Sequence, residues 1–135
     1  MDAIFDGTAL WAVAADDTVR RIDPASGEVL CSLDLASVSA SDPRGIAFSG
    51  QGMTNLSAMN RYYWVTATAN TGEGVIVKIS YDADSPSCSF VAGGMYAVTP
   101  ENVQVGRIIY DGGMLYAIAS GVDGGYVVAL NPSSA

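Results

Sequence analysis

The stretch I-F-D-G-T-A-L-W-A-V-A, residues 4–14, recurs near the other end of the sequence as I-Y-D-G-G-M-L-Y-A-I-A, residues 109–119. The two stretches align without a gap at an offset of 105 residues (109 − 4 = 105), with Ile, Asp, Gly, Leu and two Ala identical. Each consists of an apolar segment, an Asp-Gly turn signal and a second apolar segment, which is typical of two antiparallel strands joined by a turn. The repetition predicts a fold built from recurring β-units.

The rest of the sequence has the same character, with short apolar or alternating segments separated by Gly, Asp, Asn and Pro, and it lacks a sustained helical period. We predict strands at residues 9–15, 18–22, 28–35, 45–50, 62–69, 74–81, 88–92, 105–110, 114–119 and 126–130. Residues 37–43 are expected to be helical or irregular, and Met53 to Asn60 a long loop. Three Gly-rich segments, residues 72–74, 93–95 and 121–125, are expected to be hairpin turns.

A second internal match supports a threefold repetition. Val19, Ile22, Cys31 and Ser32 map onto Ile76, Ile79, Cys88 and Ser89 at a constant offset of 57 residues. We predict one domain over residues 1–135, with repeats at about 3–36, 45–92 and 105–135, the last without its outer strand. Repeats of about 40–60 residues with three or four strands each are typical of propeller blades. The predicted fold is therefore all-β, with antiparallel three- to four-stranded blades forming a partial β-propeller of about three blades; a compact β-sandwich is the alternative.

Three segments resemble known propeller repeats. V-R-R-I-D-P-A-S-G-E-V-L-C-S-L-D-L (Val19 to Leu35) resembles the third and fourth strands of a quinoprotein-like or YVTN-type blade. Y-V-V-A-L-N-P-S-S-A (Tyr126 to Ala135) resembles the beginning of the same element. D-P-R-G-I-A-F-S-G-Q-G (Asp42 to Gly52) resembles the innermost strand of a YVTN or NHL-type blade. The resemblance implies the fold. The docking Trp of quinoprotein blades is replaced by Cys31 and Cys88, and the residues that hold a quinone and its calcium have no counterpart, so no functional residue is carried over.

Composition excludes several classes of partner. The chain of 135 residues has 14 acidic and 6 basic residues, a net charge of −8, which disfavours binding to nucleic acid or anionic membranes. No apolar stretch approaches the roughly 18–20 residues of a membrane span. The sequence contains no His, which removes the commonest general base and a frequent metal ligand. We therefore expect no catalytic, cofactor-binding or metal-binding residues, and no cofactor.

The candidate site residues have structural explanations that outweigh the functional ones. Cys31 and Cys88 occupy equivalent positions on outer strands of neighbouring units, so we expect them to lie beyond the roughly 7 Å Cα limit of a disulfide. The turn carboxylates that could bind calcium do not fit an EF-hand loop; they are Asp16, Asp17, Asp82, Asp84 and Asp123. Asp6 and Asp111 precede Gly in turns, and the aromatic residues Tyr62, Tyr63 and Trp64 are expected to pack between units rather than line a pocket.

Three repeats cannot close a ring, because propellers close at about four to eight blades. The two outer blade faces, rich in Val, Ile, Tyr and Met, would remain open, and large apolar patches usually mark interfaces. The sequence thus predicts a non-catalytic structural or interaction protein, completed by self-association or by a larger assembly; its acidic, low-lysine composition suits an extracellular surface or a virus particle. The alternative is a small-ligand-binding or quinoprotein- or lactonase-like enzyme fragment acting at a propeller centre.

Overall fold

The computed structural model describes residues 2–49, 62–82, 87–122 and 124–132. Within these ranges the chain forms eleven strands and one short 3-10 turn (Leu35–Val38). The strands are β1 (Asp2–Phe5), β2 (Leu10–Val13), β3 (Thr18–Ile22), β4 (Val29–Asp34), β5 (Ala40–Phe48), β6 (Tyr62–Ala69), β7 (Glu73–Asp82), β8 (Ser87–Glu101), β9 (Gln104–Asp111), β10 (Met114–Gly121) and β11 (Gly124–Leu130). None of the described residues belongs to a helix long and apolar enough to span a membrane.

The strands form three antiparallel sheets over the described residues, which confirms the all-β class. The first sheet is β1-β2-β3-β4, the second is β5-β6-β7-β8 and the third is β9-β10-β11. In each sheet, strands that are consecutive in sequence are neighbours in space. Several of the connections that the structure describes, such as those after β1, β2 and β6, are short turns of the kind that Asp, Asn and Gly favour. Gly72, for example, has a φ of 99° in the turn between β6 and β7, a conformation that residues other than Gly rarely adopt.

The second sheet lies between the other two, and both of its faces are buried. Because successive side chains of a strand point to opposite faces, β6 supplies both cores. Tyr63 and Val65 belong to the cluster shared with the first sheet, together with Trp11 and Val13. Trp64, one position away, belongs to the cluster shared with the third sheet, together with Leu115. This two-sided burial explains why β6 and β7 are almost continuously apolar.

The first strands of the three sheets, β1, β5 and β9, converge at one edge. The Asp2 carboxylate accepts a hydrogen bond from the backbone amide of Ile46 at 3.2 Å and lies 3.6 Å from the guanidinium of Arg107. A Cβ atom at Gly45 would lie 3.0 Å from the Arg107 Cα, closer than side chains normally approach a backbone. Gly45 therefore permits β5 and β9 to pack with almost no gap between their backbones.

The expectation that Cys31 and Cys88 lie too far apart to be linked was wrong. The two residues form a disulfide, with their Cα atoms 6.3 Å apart. The expectation assumed that neighbouring sheets diverge at their outer strands. Instead β4 and β8 face each other closely, which brings the two cysteines within the range that a disulfide spans. The bond joins the outer edges of the first and second sheets.

Two local predictions were also wrong. Residues 93–95 form no hairpin turn; they lie inside β8, which continues from Ser87 to Glu101 instead of ending at Ala92. The register of β7 against β8 shifts between Val77 and Ile79, so the extra residues of β8, including Gly93 with a φ of 68°, form a bulge. Residues 37–43 contain the end of the 3-10 turn and the start of β5. The loop expected at Met53 to Asn60 lies outside the described residues.

Candidate functional site: a buried carboxylate and two open sheet faces

Asp6 is the most highly connected polar side chain of the candidates taken from the sequence. It lies in the turn between β1 and β2 and is 9% exposed. Its carboxylate accepts hydrogen bonds from the backbone amides of Thr8 and Ala9, at 2.9 and 2.8 Å, and from the Trp11 indole Nε1 at 3.0 Å. The hydroxyl of Tyr63, on the second sheet, donates a fourth bond to it. Asp6 therefore links the first hairpin to the second sheet.

The electrostatics of Asp6 follow from these bonds. Burial by itself raises the pKa of the Asp6 carboxyl, but the hydrogen bonds from Tyr63, from the two amides and from Trp11 stabilise the ionised form and lower the pKa below its ordinary value. An ionised carboxylate whose oxygens are occupied by four donors is suited to fixing a turn. It is poorly suited to proton transfer, which requires a pKa near the working pH.

Asp111, the counterpart of Asp6 in the repeated stretch, has different surroundings. It is the last residue of β9 and is exposed. Its sheet has no further sheet packed on the corresponding side among the described residues. The equivalence of the two residues in sequence therefore does not bring them together into a paired-carboxylate site.

The other acidic candidates are dispersed. Asp16 accepts hydrogen bonds from Thr18 and Arg20, which lower its pKa. Asp17 accepts a hydrogen bond of 2.9 Å from the backbone amide of Asp42. Asp82 ends β7, whereas Asp84 and Asp123 lie outside the described residues. Within residues 2–49, 62–82, 87–122 and 124–132, no three acidic or cysteine side chains come together in a group that could hold a metal ion.

The aromatic residues of β6 are divided between the two cores, as the strand period predicts. Tyr63 stacks on Trp11, with ring centroids 4.0 Å apart, and on Phe48 at 4.9 Å. Trp64 and Tyr62 face the third sheet, where the Lys78 ammonium lies 4.1 Å from the centroid of the Tyr62 ring. Burial lowers the pKa of Lys78. These rings fill the contacts between sheets.

The outer face of the third sheet is the side turned away from the second sheet. Its apolar side chains are exposed, by 54%, 38%, 57% and 64% in chain order, at Ile109, Tyr116, Ile118 and Val127. Together with Ala117 and Arg107 at its edge, these residues line a shallow depression of about 190 Å³. Single exposed apolar residues are normal on a monomer, but four large ones side by side on one sheet face are typical of a surface that contacts another protein.

The outer face of the first sheet is the side turned away from the second sheet at the opposite end of the stack. Phe5 is 52% exposed there, and Leu10 and Ile22 beside it are half-buried. The register pairs Phe5 with Leu10 and Leu10 with Ile22, so the three side chains form an apolar row across three strands. This apolar row lies beside polar pairs on the same face, Arg20 with Ser32 and Thr18 with Asp34.

The sequence predicted open faces, but it did not identify the apolar residues that lie on the outer faces of the first and third sheets. The signal was present in the repeated stretch, because Trp11, which packs on the second sheet, corresponds to Tyr116 on the open face. Comparison with protein-family models and with curated protein sequences found no match to this chain. The two open faces and the buried carboxylate are therefore the features from which a function can be inferred.

Proposed function

We propose that this protein is a non-catalytic interaction module, whose three sheets are propeller-like blades and whose two open faces are covered by protein, either by further copies of the chain or by other subunits of a larger assembly. The observation that carries the proposal is the set of four exposed apolar side chains on the third sheet's outer face, with the apolar row of the first sheet at the other end of the stack. Burying apolar area contributes about 25 cal/mol per Å², so a face with four exposed large side chains favours association once it meets a complementary surface.

The disulfide supports a particular setting for such a module. Disulfides persist in oxidising environments and are rare where glutathione and thioredoxin keep thiols reduced. The bond between Cys31 and Cys88 joins two sheets that are already packed together, so its role is to hold the module rather than to react. This setting agrees with a subunit of an extracellular surface or of a virus particle, and the net charge of −8 agrees with protein rather than nucleic acid as the partner.

An enzyme or ligand-binding fragment remains the second candidate, but no specific observation favours it. The buried carboxylate of Asp6 has four donors around it and serves the contact between sheets. The remaining acidic candidates that the structure describes lie apart, with Asp16 and Asp17 in one turn and Asp82 and Asp111 at the ends of two strands. The interaction role requires none of these groups to react.

The experiment is a measurement of mass in solution by sedimentation, with variants on and off the open face. We expect the wild-type chain to exceed the 13.9 kDa of one chain at micromolar concentration. Ile118→Arg, on the third sheet's outer face, should raise the dissociation constant at least tenfold. Val122→Arg is the matched control, because Val122 is fully exposed in the turn after β10 and belongs to neither face.

A contrary result would be clear. A folded wild-type monomer at tens of micromolar would contradict self-association. If that monomer also bound no more of an apolar surface dye than Ile118→Arg does, the proposed interaction role would be wrong as well.

A further inference from the structure

The repeated stretches form hairpins with the same strand register. In the first sheet, Ile4 pairs with Trp11 and Phe5 pairs with Leu10. In the third sheet, the residues 105 positions later pair in the same way, Ile109 with Tyr116 and Tyr110 with Leu115. Since register and alternation fix which face a side chain occupies, corresponding residues of the two hairpins lie on corresponding faces.

One face of this hairpin is buried in the first sheet and open in the third. Trp11 and Val13 are both 0% exposed, because they pack on the second sheet. Their counterparts Tyr116 and Ile118 are 38% and 57% exposed. The third sheet's outer face therefore carries the pattern of residues that, in the first sheet, already packs against another sheet of this molecule.

The opposite face shows the reverse relationship. Leu115 and Ala117 are 0% and 1% exposed, because they pack on the second sheet. Their counterparts Leu10 and Ala12 belong to the first sheet's outer face and are half-buried. The third sheet's outer face thus corresponds to the buried face of the first sheet. The first sheet's outer face corresponds to the buried face of the third sheet.

On the basis of the interaction role proposed above, we infer that the third sheet's outer face packs against the first sheet's outer face of a second copy of this chain. The contact is head-to-tail and repeats the order of sheets inside the molecule. The contact of Trp11 with Tyr63 is the closest template for this contact between copies. Tyr63 lies on the second strand of its sheet, between Phe48 and Ile79. Leu10 holds the same position in the first sheet, between Phe5 and Ile22. In the inferred contact, Tyr116 of one copy meets Leu10 of the other.

The area available favours two such contacts in each pair of chains. In the third sheet, three strands about 4.8 Å apart, with about seven residues at about 3.3 Å each, present a face of roughly 300 Å² in projection. The first sheet's four shorter strands, of four to six residues, present about the same area. One contact uses two faces, on the order of 600 Å², which is below the roughly 1,200–2,000 Å² of stable interfaces. Two contacts use four faces and reach about 1,200 Å². We therefore expect two chains to close on each other, giving a ring of six sheets.

The test uses two conservative cysteine variants in the otherwise unchanged, oxidised chain. Ala12→Cys places a thiol on the first sheet's outer face, two residues from Leu10. Ala129→Cys places a thiol on the third sheet's outer face, directly opposite Tyr116 in the register. Both are small, solvent-reached positions where a sulfur replaces a hydrogen, and circular dichroism checks that each variant folds.

A short thiol-specific cross-linker should join Ala12→Cys to Ala129→Cys after the two variants are mixed and allowed to exchange subunits. It should not join the chains of either variant when that variant is alone. Sedimentation of the wild-type chain should give twice 13.9 kDa. Cross-linking of Ala129→Cys with itself, or of Ala12→Cys with itself, would show like faces in contact and overturn the head-to-tail pairing.

The outcomes separate this inference from the function on which it rests. An associated chain with no cross-link between the mixed variants would overturn the inferred contact and leave the interaction role standing. Assemblies of more than two copies would overturn the closed pair of chains. A monomer that also fails the apolar-dye comparison with Ile118→Arg would overturn both.

Discussion

The hairpin β1–β2 and the hairpin β9–β10 have similar sequences, with six of eleven aligned residues identical, and the same register beside the turn, yet the face that is buried in one is exposed in the other. Trp11 is fully buried in a stack of aromatic rings, whereas Tyr116 is 38% exposed. Asp6 accepts four hydrogen bonds, one of them from the neighbouring sheet, whereas Asp111 is exposed at the end of β9. The difference lies in the neighbour: the first hairpin has the second sheet against that face, and the third-sheet hairpin has no described sheet there.

The comparison shows that an apolar strand pattern specifies which face can be buried, but the next sheet decides whether it is. In the first sheet that face is also held covalently, by the bond between Cys31 and Cys88. The contact between the second and third sheets has no such bond, because the chain contains two cysteines and both are used.

The largest effect should come from truncating the two matched aromatic residues. Trp11→Ala should lower the free energy of unfolding by about 3–5 kcal/mol, because it leaves a cavity between sheets. Tyr116→Ala should cost under about 1 kcal/mol in the single chain and should lower stability further only where chains associate. Denaturant unfolding at several protein concentrations checks both. Equal losses of unfolding free energy for the two variants at the lowest protein concentration would contradict the difference in burial between Trp11 and Tyr116.

The second effect concerns the covalent link of the first sheet to the second. Replacing both cysteines, Cys31→Ala with Cys88→Ala, should lower the free energy of unfolding by up to about 4 kcal/mol, since the bond closes a separation of 57 residues. Thermal or denaturant unfolding with and without a reductant measures it. The reductant should destabilise the wild-type protein and leave the double variant unchanged; a wild-type midpoint insensitive to reduction would contradict the link.

The third effect compares the matched carboxylates. Asp6→Asn should lower the free energy of unfolding by about 1–3 kcal/mol, because the amide cannot accept all four donors. Asp111→Asn, the control, should change it by less than about 0.5 kcal/mol.

The cost of Asp6→Asn should also depend on pH. Because the folded pKa of Asp6 is lowered, its ionised form stabilises the fold above the unfolded pKa of about 3.9, and this stabilisation is lost as the pH falls through the folded pKa. Urea unfolding from pH 7 down to pH 3 should show the gap between wild type and Asp6→Asn narrowing at the acid end. A gap that widens there would contradict the hydrogen-bonded, ionised state.

Much of the strand layout could be predicted from local pattern. The limits of β6 agree with the prediction at Tyr62 and Ala69, and those of β10 and β11 agree within two residues, because alternation and turn residues act over a few neighbours. The bulge of β8 could not be predicted, since Gly93 reads equally well as a turn when the pairing partner is unknown. The disulfide was excluded for a related reason: the separation of β4 from β8 depends on how two sheets pack.

By itself, the sequence determined the all-β class, the recurring hairpin and the existence of apolar faces, because these depend on side-chain period and turn chemistry within about a dozen residues. The tertiary structure alone decided that the second sheet lies between the other two, that Cys31 and Cys88 meet, and that Asp6 reaches Tyr63. It also decided which copy of the hairpin is covered. Those outcomes depend on contacts between segments far apart in the chain, and a local pattern contains no information about which distant surface will meet it.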